Sequence, residues 1–344
     1  MRITHGVLAA VIIAAATCVC ADEHPTAVDL LKTFANSVNK MSCVRFNTRE
    51  SVYPTNLGDG RSPDLMTETR ILRDGVQWKL DTRQNTSPTS AKIVTHVWRQ
   101  TLIERDVLQA EIVDAEQVER RPRLSVYRND RPEHYWRFLG LSAIVFGRFP
   151  GDGGSPIWGV VRDASTRDVL PKAVEIDGAV TYVVKCRGKY GEHQLWIDPK
   201  RGGLPLRIEI QKQSGDLNDD EQLGALAATN QDGPTANAIS IRIHNIKLNQ
   251  REGVHFIAAF DFELSATYPS ENTMRMLDRK QECRVTSMDM FSKPTTDATF
   301  RFDMQIPNGT RVEVFKNSRL GTGSTASGDS EIWIDGKLQK SAGR

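Results

Sequence analysis

Apolar positions recur along this chain with two periods, and the change from one to the other divides it into elements. Val28, Leu31, Ala35 and Val38 fall at helical spacing with Pro25 near the start, which predicts a helix from about Pro25 to Met41. From Cys43 the period becomes two. Val44 and Phe46 alternate with Arg45 and Asn47, and the run from Ile71 to Leu80 reads as a hairpin turning at Asp74 and Gly75. Leu204, Leu206, Ile208 and Ile210 define a later strand with one wet face; Ile239, Ile241 and Ile243 define another, and Phe300, Phe302, Met304 and Ile306 a third. Apolar parity flips between Ile243 and Ile246, which predicts a β-bulge there, and Phe256, Phe260, Phe262 and Leu264 mark a further long strand.

A second helix is predicted from about Arg131 to Phe146, with Tyr135, Phe138, Leu139, Leu141, Ser142 and Val145 on one broad side and Gly147 and Pro150 ending it. The stretch Gly151 to Pro156 reads as a flexible glycine loop, and Pro156 to Asp163 as a short third helix carrying Trp158. Residues 214–237, rich in Asp, Asn, Gly and Pro, read as a mobile insertion between strands. The strand-like runs number on the order of ten, joined by short turns, so an α+β fold built on one large, mainly antiparallel sheet is expected. Two main helices cannot cover one apolar face of so many strands. The sheet is therefore expected to curve into an incomplete half-barrel with the helices on its concave face, enclosing a cavity.

The N-terminus departs from this pattern. Arg2 precedes an uncharged stretch from Ile3 to Ala21, and Val19, Cys20 and Ala21 supply small residues where a signal peptidase reads, so 1–21 is expected to be a secretory signal peptide. The organisation expected is then 1–21 leader, 22–320 main domain and 321–344 a Gly/Ser-rich segment with a terminal strand. Export to the periplasm or the extracellular space follows; the rivals are an uncleaved membrane anchor, for which the apolar core is short, and acylation at Cys18 or Cys20, where Thr17 and Val19 fit a lipobox poorly. The mature chain keeps Cys43, Cys186 and Cys283, an odd number without metal-ligand spacing, which read as small buried hydrophobes, with one disulfide as the alternative.

With 45 Lys and Arg against 43 Asp and Glu, interspersed, the net charge of +2 provides no field for a polyanion, and nucleic acid is not an expected partner. Catalytic and metal patterns are weak. Gly151, Asp152, Gly153, Gly154 and Ser155 are similar to a serine-protease signature with the serine displaced, and a hydrolase would need groups such as His134, Asp152 and Ser155 to meet. Asp216, Asn218 and Asp220 fit a calcium loop, but Glu221 and Ala227 stand where Gly and Glu are required. No histidine has a partner at zinc spacing, and His244 falls on a wet face with Arg242. No cofactor is expected.

Apolar surface is in excess, since Tyr135, Trp136, Phe138, Leu139, Leu141, Ile144, Val145 and Phe146 crowd into twelve residues. Either that helix is buried all round or it is a lid over an apolar cavity. Trp78, Trp136, Phe138, Leu141, Phe146 and Trp158 are the candidate lining.

The run from Tyr182 to Gly191, the turn Trp196, Ile197, Asp198 and Pro199, and the following Gly203, Leu204 and Pro205 resemble the LolA-like superfamily of periplasmic lipoprotein carriers. The segments 306–312 and 333–336 have a similar flavour. That resemblance implies a half-barrel whose apolar concave side shields acyl chains from water. The expected function is an exported, non-enzymatic carrier or sensor that holds a lipid, lipoprotein acyl chains or another apolar ligand and touches membranes only transiently. The alternative is an envelope protein-interaction module with a filled core, and a hydrolase is the third reading.

Overall fold

The computed structural model describes residues 25–53, 65–75, 77–86, 95–103, 106–114, 122–128, 132–219, 221–223, 236–269, 274–291, 301–316 and 331–340. The expected leader, most of the 214–237 insertion, Phe300 and the 321–328 tail lie outside them, as do the side chains of 132–137.

Helix α1 spans Ala27–Lys40, and the Thr26 hydroxyl caps it by accepting from the Asp29 N–H at 3.2 Å. Its buried stripe is Leu30, Leu31, Phe34 and Val38. The expected stripe is corrected at Val28, which is 56% exposed because it lies well off the axis those four side chains define.

Six strands follow: β1 Cys43–Tyr53, β2 Leu65–Asp74, β3 Gln77–Thr86, β4 Thr95–Ile103, β5 Val107–Asp114 and β6 Arg123–Arg128. The segment Pro132–Phe146 is a 3₁₀ helix, not the α-helix expected, and Gly140 breaks it at φ 56°, ψ −137°. Leu139, Leu141 and the run Ser142 to Phe146 are all buried, whereas Phe138 is half-buried and Gly140 is exposed. Helix α2, Ile157–Arg162, matches the third predicted helix.

Next come β7 Thr166–Val169, β8 Val174–Ile176, β9 Ala179–Gly188, β10 Gly191–Asp198, β11 Leu204–Gln213, the short pair β12 Leu217–Asn218 and β13 Glu221–Gln222, then β14 Ala238–Arg251, β15 Val254–Pro269, β16 Met274–Met290, β17 Thr310–Lys316, β18 Glu331–Ile334 and β19 Lys337–Lys340. Seventeen of these nineteen strands form one sheet, more than the ten or so expected, because several short strands carry no alternation of their own. The spatial order runs β8, β9, β10, β11, β14, β15, β16, β1, β2, β3, β4, β5, β6, β17, β18, β19, with β7 also on β9. All neighbours are antiparallel except β6 and β17, which makes the sheet mixed. It is open: among the described residues β8 and β19 end it without pairing to each other. The predicted hairpin joins β2 to β3 at Gly75, and the predicted bulge falls between His244 and Lys247 of β14, where Asn245 takes φ 51°.

Register shows how an open sheet buries its apolar side chains. Phe46, Ile71, Leu80 and Thr101 stand directly opposite one another across β1 to β4, on the face that carries α1 and 132–146. The side chains between them point the other way. On that second face Trp98, Ala110, Leu124, Val126, Val312 and Val314 build a separate core at the far end of the sheet. Met304, Phe302 and Ile306 cover it. Residues 301–306 are thus not the strand their alternation predicts: the N–H groups of Asp303 and Met304 donate to the Gln100 side-chain Oε1, at 2.8 and 3.0 Å, instead of to a neighbouring strand.

Candidate functional site

The face beneath 132–146 is where the candidate lining residues lie. β1 presents Val44, Phe46, Thr48 and Glu50 on one parity, and β2 and β3 add Ile71, Trp78 and Leu80. The 3₁₀ segment brings Phe146 down onto this wall, with its ring 4.9 Å from Trp78, edge-on, and 5.3 Å from Phe46. The Arg73 guanidinium lies over Trp78 at 4.8 Å and over Phe146 at 5.4 Å, and donates to the Met41 carbonyl.

Of the six candidates, Trp78 and Phe146 therefore touch directly, and Leu141 is buried in the same cluster. Phe138 packs edge-on against Tyr127 at 5.3 Å, and Tyr127 stacks on Phe315. Trp158, on α2, meets Phe34 of α1 edge-on at 5.7 Å. Trp136 has its side chain outside the described residues. The wall and the segment over it fill one another.

One polar contact interrupts this apolar seam. Glu50 Oε1 accepts from the Ser142 N–H at 3.2 Å and the Ser142 hydroxyl at 3.1 Å, and the Thr48 and Ser142 hydroxyls are 3.0 Å apart. Burial pushes the Glu50 carboxyl above its ordinary range, and the hydrogen bonds from Ser142 and the Leu141 backbone only partly oppose it. The Cα of Gly140 faces the same carboxylate: a Cβ there would lie 3.4 Å from Glu50 Oε2, in a backbone conformation that L residues rarely adopt.

A second polar cluster sits deeper. Asp152, from the glycine loop, accepts from His193 of β10 (Nε2 to Oδ2, 2.9 Å) and from Lys212 of β11 (Nζ to Oδ1, 3.1 Å). Lys212 Nζ also reaches the carbonyls of Gly151, Tyr190 and Leu217 at 3.1, 2.7 and 3.1 Å. All three side chains are sealed from solvent. Burial alone would raise the Asp152 carboxyl, but His193 and Lys212 outweigh it and hold the carboxyl below the carboxylate range.

The expected flexible loop is thus pinned by a buried ion pair, a correction to the sequence reading. Its chemistry is structural. Among the described residues His193 Nδ1 has no partner, Cys186 opposite it on β9 is buried with its thiol pushed up to about 12 by desolvation, and solvent does not reach any of these groups. Asp152 is thus taken up by His193 and Lys212, and the side chain of His134, which a hydrolase reading would bring to Asp152 and Ser155, lies outside the described residues.

Other candidates fall into place individually. Cys186 and Cys283 are buried free thiols, whereas Cys43 is only half-buried, against expectation, because it begins β1 and its thiol turns to Asp74 Oδ1 at 3.4 Å. Asp216 turns inward to Arg187 and the Gln213 N–H. His244 lies beside Arg242 near Glu263, as its parity predicts. Among the described residues no three His, Cys, Asp or Glu are grouped to hold a metal ion, and no helix is long and apolar enough to cross a membrane.

Three residues that sequence reasoning passed over had a signal in common. Glu50 shares the parity of Val44 and Phe46, His193 that of Leu195 and Ile197, and Lys212 that of Ile208 and Ile210. A charged or titratable group on the apolar parity of its strand points into the core. No family model, curated protein or solved structure matches the chain.

Proposed function

We propose that the chain is an exported, non-enzymatic binding protein in which 132–146 closes the apolar, concave side of a half-barrel, and that displacing this segment admits an acyl chain or another apolar ligand. The observation that carries this reading is the build of the closing segment. It is fifteen residues of 3₁₀ helix, whose hydrogen bonds are poorer than those of an α-helix, broken at Gly140 and seated on the buried carboxylate of Glu50. Such a segment is a weaker cover than α1. Each acyl CH₂ transferred to the wall would contribute about 0.8 kcal/mol, so a chain of a dozen carbons could outcompete it.

The resemblance to LolA-like carriers supports the same reading. A second reading, an envelope protein-interaction module, is favoured by the dense packing of Trp78 against Phe146 and by the burial of Leu141.

Native mass spectrometry with organic extraction of the exported protein separates the two. Acyl species that co-purify and vanish in Phe138→Asp and Leu141→Asp, with circular dichroism unchanged, are the expected result. A clean apo mass in the wild type, with no uptake of an apolar fluorescent probe, would reject the carrier in favour of the interaction module.

A further inference from the structure

The polar contact that interrupts the seam between the sheet and 132–146 falls at the break in the covering segment. Gly140 and Ser142 flank Leu141, and both face Glu50: Oε1 meets the N–H and the hydroxyl of Ser142, and Oε2 is the atom that a Cβ on Gly140 would meet first. Four oxygens then follow one another from the segment into the sheet. Glu50 Oε1 is 3.1 Å from Ser142 Oγ, Ser142 Oγ is 3.0 Å from Thr48 Oγ1, and Thr48 Oγ1 is 3.4 Å from the Thr69 carbonyl oxygen.

Counting protons along this chain shows what it needs. Each hydroxyl has one proton to donate, and a carbonyl and a carboxylate have none. With Glu50 ionised, two protons must serve three contacts, and one buried pair of oxygens is left facing without a hydrogen between them. With Glu50 protonated the count closes: Glu50 donates to Ser142, Ser142 to Thr48, and Thr48 to the Thr69 carbonyl. Burial acts in the same direction, since it holds the Glu50 carboxyl above its ordinary range.

The surroundings offer the ionised form no counter-charge. Glu50 stands opposite Thr67 of β2 and Cys283 of β16. The Cys283 thiol is fully buried, and desolvation and Glu50 push it well above its ordinary range, so it keeps its proton wherever Glu50 titrates. From the covering segment, Gly140, Leu141 and Ser142 bring no charge, while the side chains of Glu133, His134 and Arg137 lie outside the described residues.

We propose that Glu50 is a proton-held latch: protonated, it completes the hydrogen-bonded chain that ties 132–146 to β1 and β2, and on losing its proton it breaks that chain at Ser142 and loosens the segment. The inference rests on reading 132–146 as a removable cover, and adds that acidity closes it.

The test is hydrogen exchange of the full-length protein from pH 4 to pH 8, read by mass spectrometry of peptides and corrected for intrinsic amide rates. Opening releases the Glu50 proton, so the opening constant of 138–146 should rise with pH by up to about tenfold per unit, then level off once the closed form ionises too. A total rise of at least about threefold is expected in the wild type. Glu50→Gln, whose amide N–H stands in for the acid proton, should keep at pH 8 the protection that the wild type has at pH 4. Thr48→Val leaves the Ser142 proton only the carboxylate to serve, so its rise should be smaller than in the wild type. The proposal is overturned if the wild type shows no rise, if the rise survives Glu50→Gln and so belongs to another group, or if it is undiminished in Thr48→Val. It is also overturned if 138–146 exchanges no faster than 204–210 of β11, because the segment then opens only with the whole sheet. Failure of the carrier reading looks different: an apolar fluorescent probe stays out at every pH while exchange behaves as expected, and the latch stands.

Discussion

Lys212 shows what a single charged side chain on the wrong parity must do to be tolerated: it meets one carboxylate and three carbonyls, so none of its three donors is idle. Lys212→Met keeps most of the stem but strands the buried Asp152 carboxylate with His193 alone, and should cost about 3–5 kcal/mol in chemical denaturation. Asp152 also sets an acid limb. Its carboxyl titrates below the ordinary value when folded, so the stability it contributes is present above the unfolded pKa and is lost as pH falls towards the folded one. Glu50 has the opposite sign. Raised by burial above its usual 4.5, its folded state prefers the proton, so it costs stability as pH climbs past that value. Glu50→Gln keeps an acceptor for Ser142 without the charge; in thermal melts it should gain on the wild type at pH 8 and lose most of that advantage at pH 4. An advantage independent of pH would mean that Glu50 is ionised at no cost.

At the scale of elements, α1 depends on the turn that follows β10. Asp198 gathers that turn by accepting from the N–H groups of Lys200 and Arg201, and Gly203 then passes directly under the helix at φ 65°. A Cβ on Gly203 would fall 2.8 Å from Phe34 N and 2.9 Å from the Leu30 carbonyl. Gly203→Ala should therefore lift α1 and destabilise the protein by about 1–3 kcal/mol, with the loss of Trp158 packing read by fluorescence, since Trp158 leans on Phe34. These elements were legible in the sequence where period and turn chemistry agree: α1, the hairpin at Gly75, the parity flip that became the β14 bulge, and the short helix bearing Trp158. Legibility failed where a pattern has two physical solutions. A segment as densely apolar as 138–146 has no clear period with which to choose between α and 3₁₀. Alternation at Phe302, Met304 and Ile306 is what any extended chain lying on a core requires, whether its backbone bonds go to a strand or, as here, to the side chain of Gln100. Within the sites, parity marked Glu50, His193 and Lys212 as inward, but only register could show that Asp152 meets the last two.

For the whole molecule, the sheet stays open because it changes the face it buries. From β9 to β5, Ile103 and Val107 included, apolar side chains point to α1, α2 and 132–146, while from β4 to β19 a second core forms on the reverse face, so that β4 and β5 serve both. Each half needs only its own cover, and residues 301–306 are the cover of the second. Gln100 is the pin between cover and sheet. Fully buried on β4, it accepts two backbone N–H groups of the crossing segment through Oε1 and offers Nε2 to Asp81 and Asp303, while Lys79 holds Asp303 at 2.8 Å. Removing that amide orphans the N–H groups of Asp303 and Met304 under a layer that excludes water, at about 1–3 kcal/mol each. Gln100→Ala should accordingly release 301–306 before the sheet unfolds: limited proteolysis should cut near Arg301 in the variant under conditions that leave the wild type intact, while the packing of Trp78 on the opposite face is unchanged. If both faces lose protection together, the two cores are one cooperative unit and the sheet transmits between them; if only the second does, they are separate, and a ligand bound on one face would leave the stability of the other core unchanged.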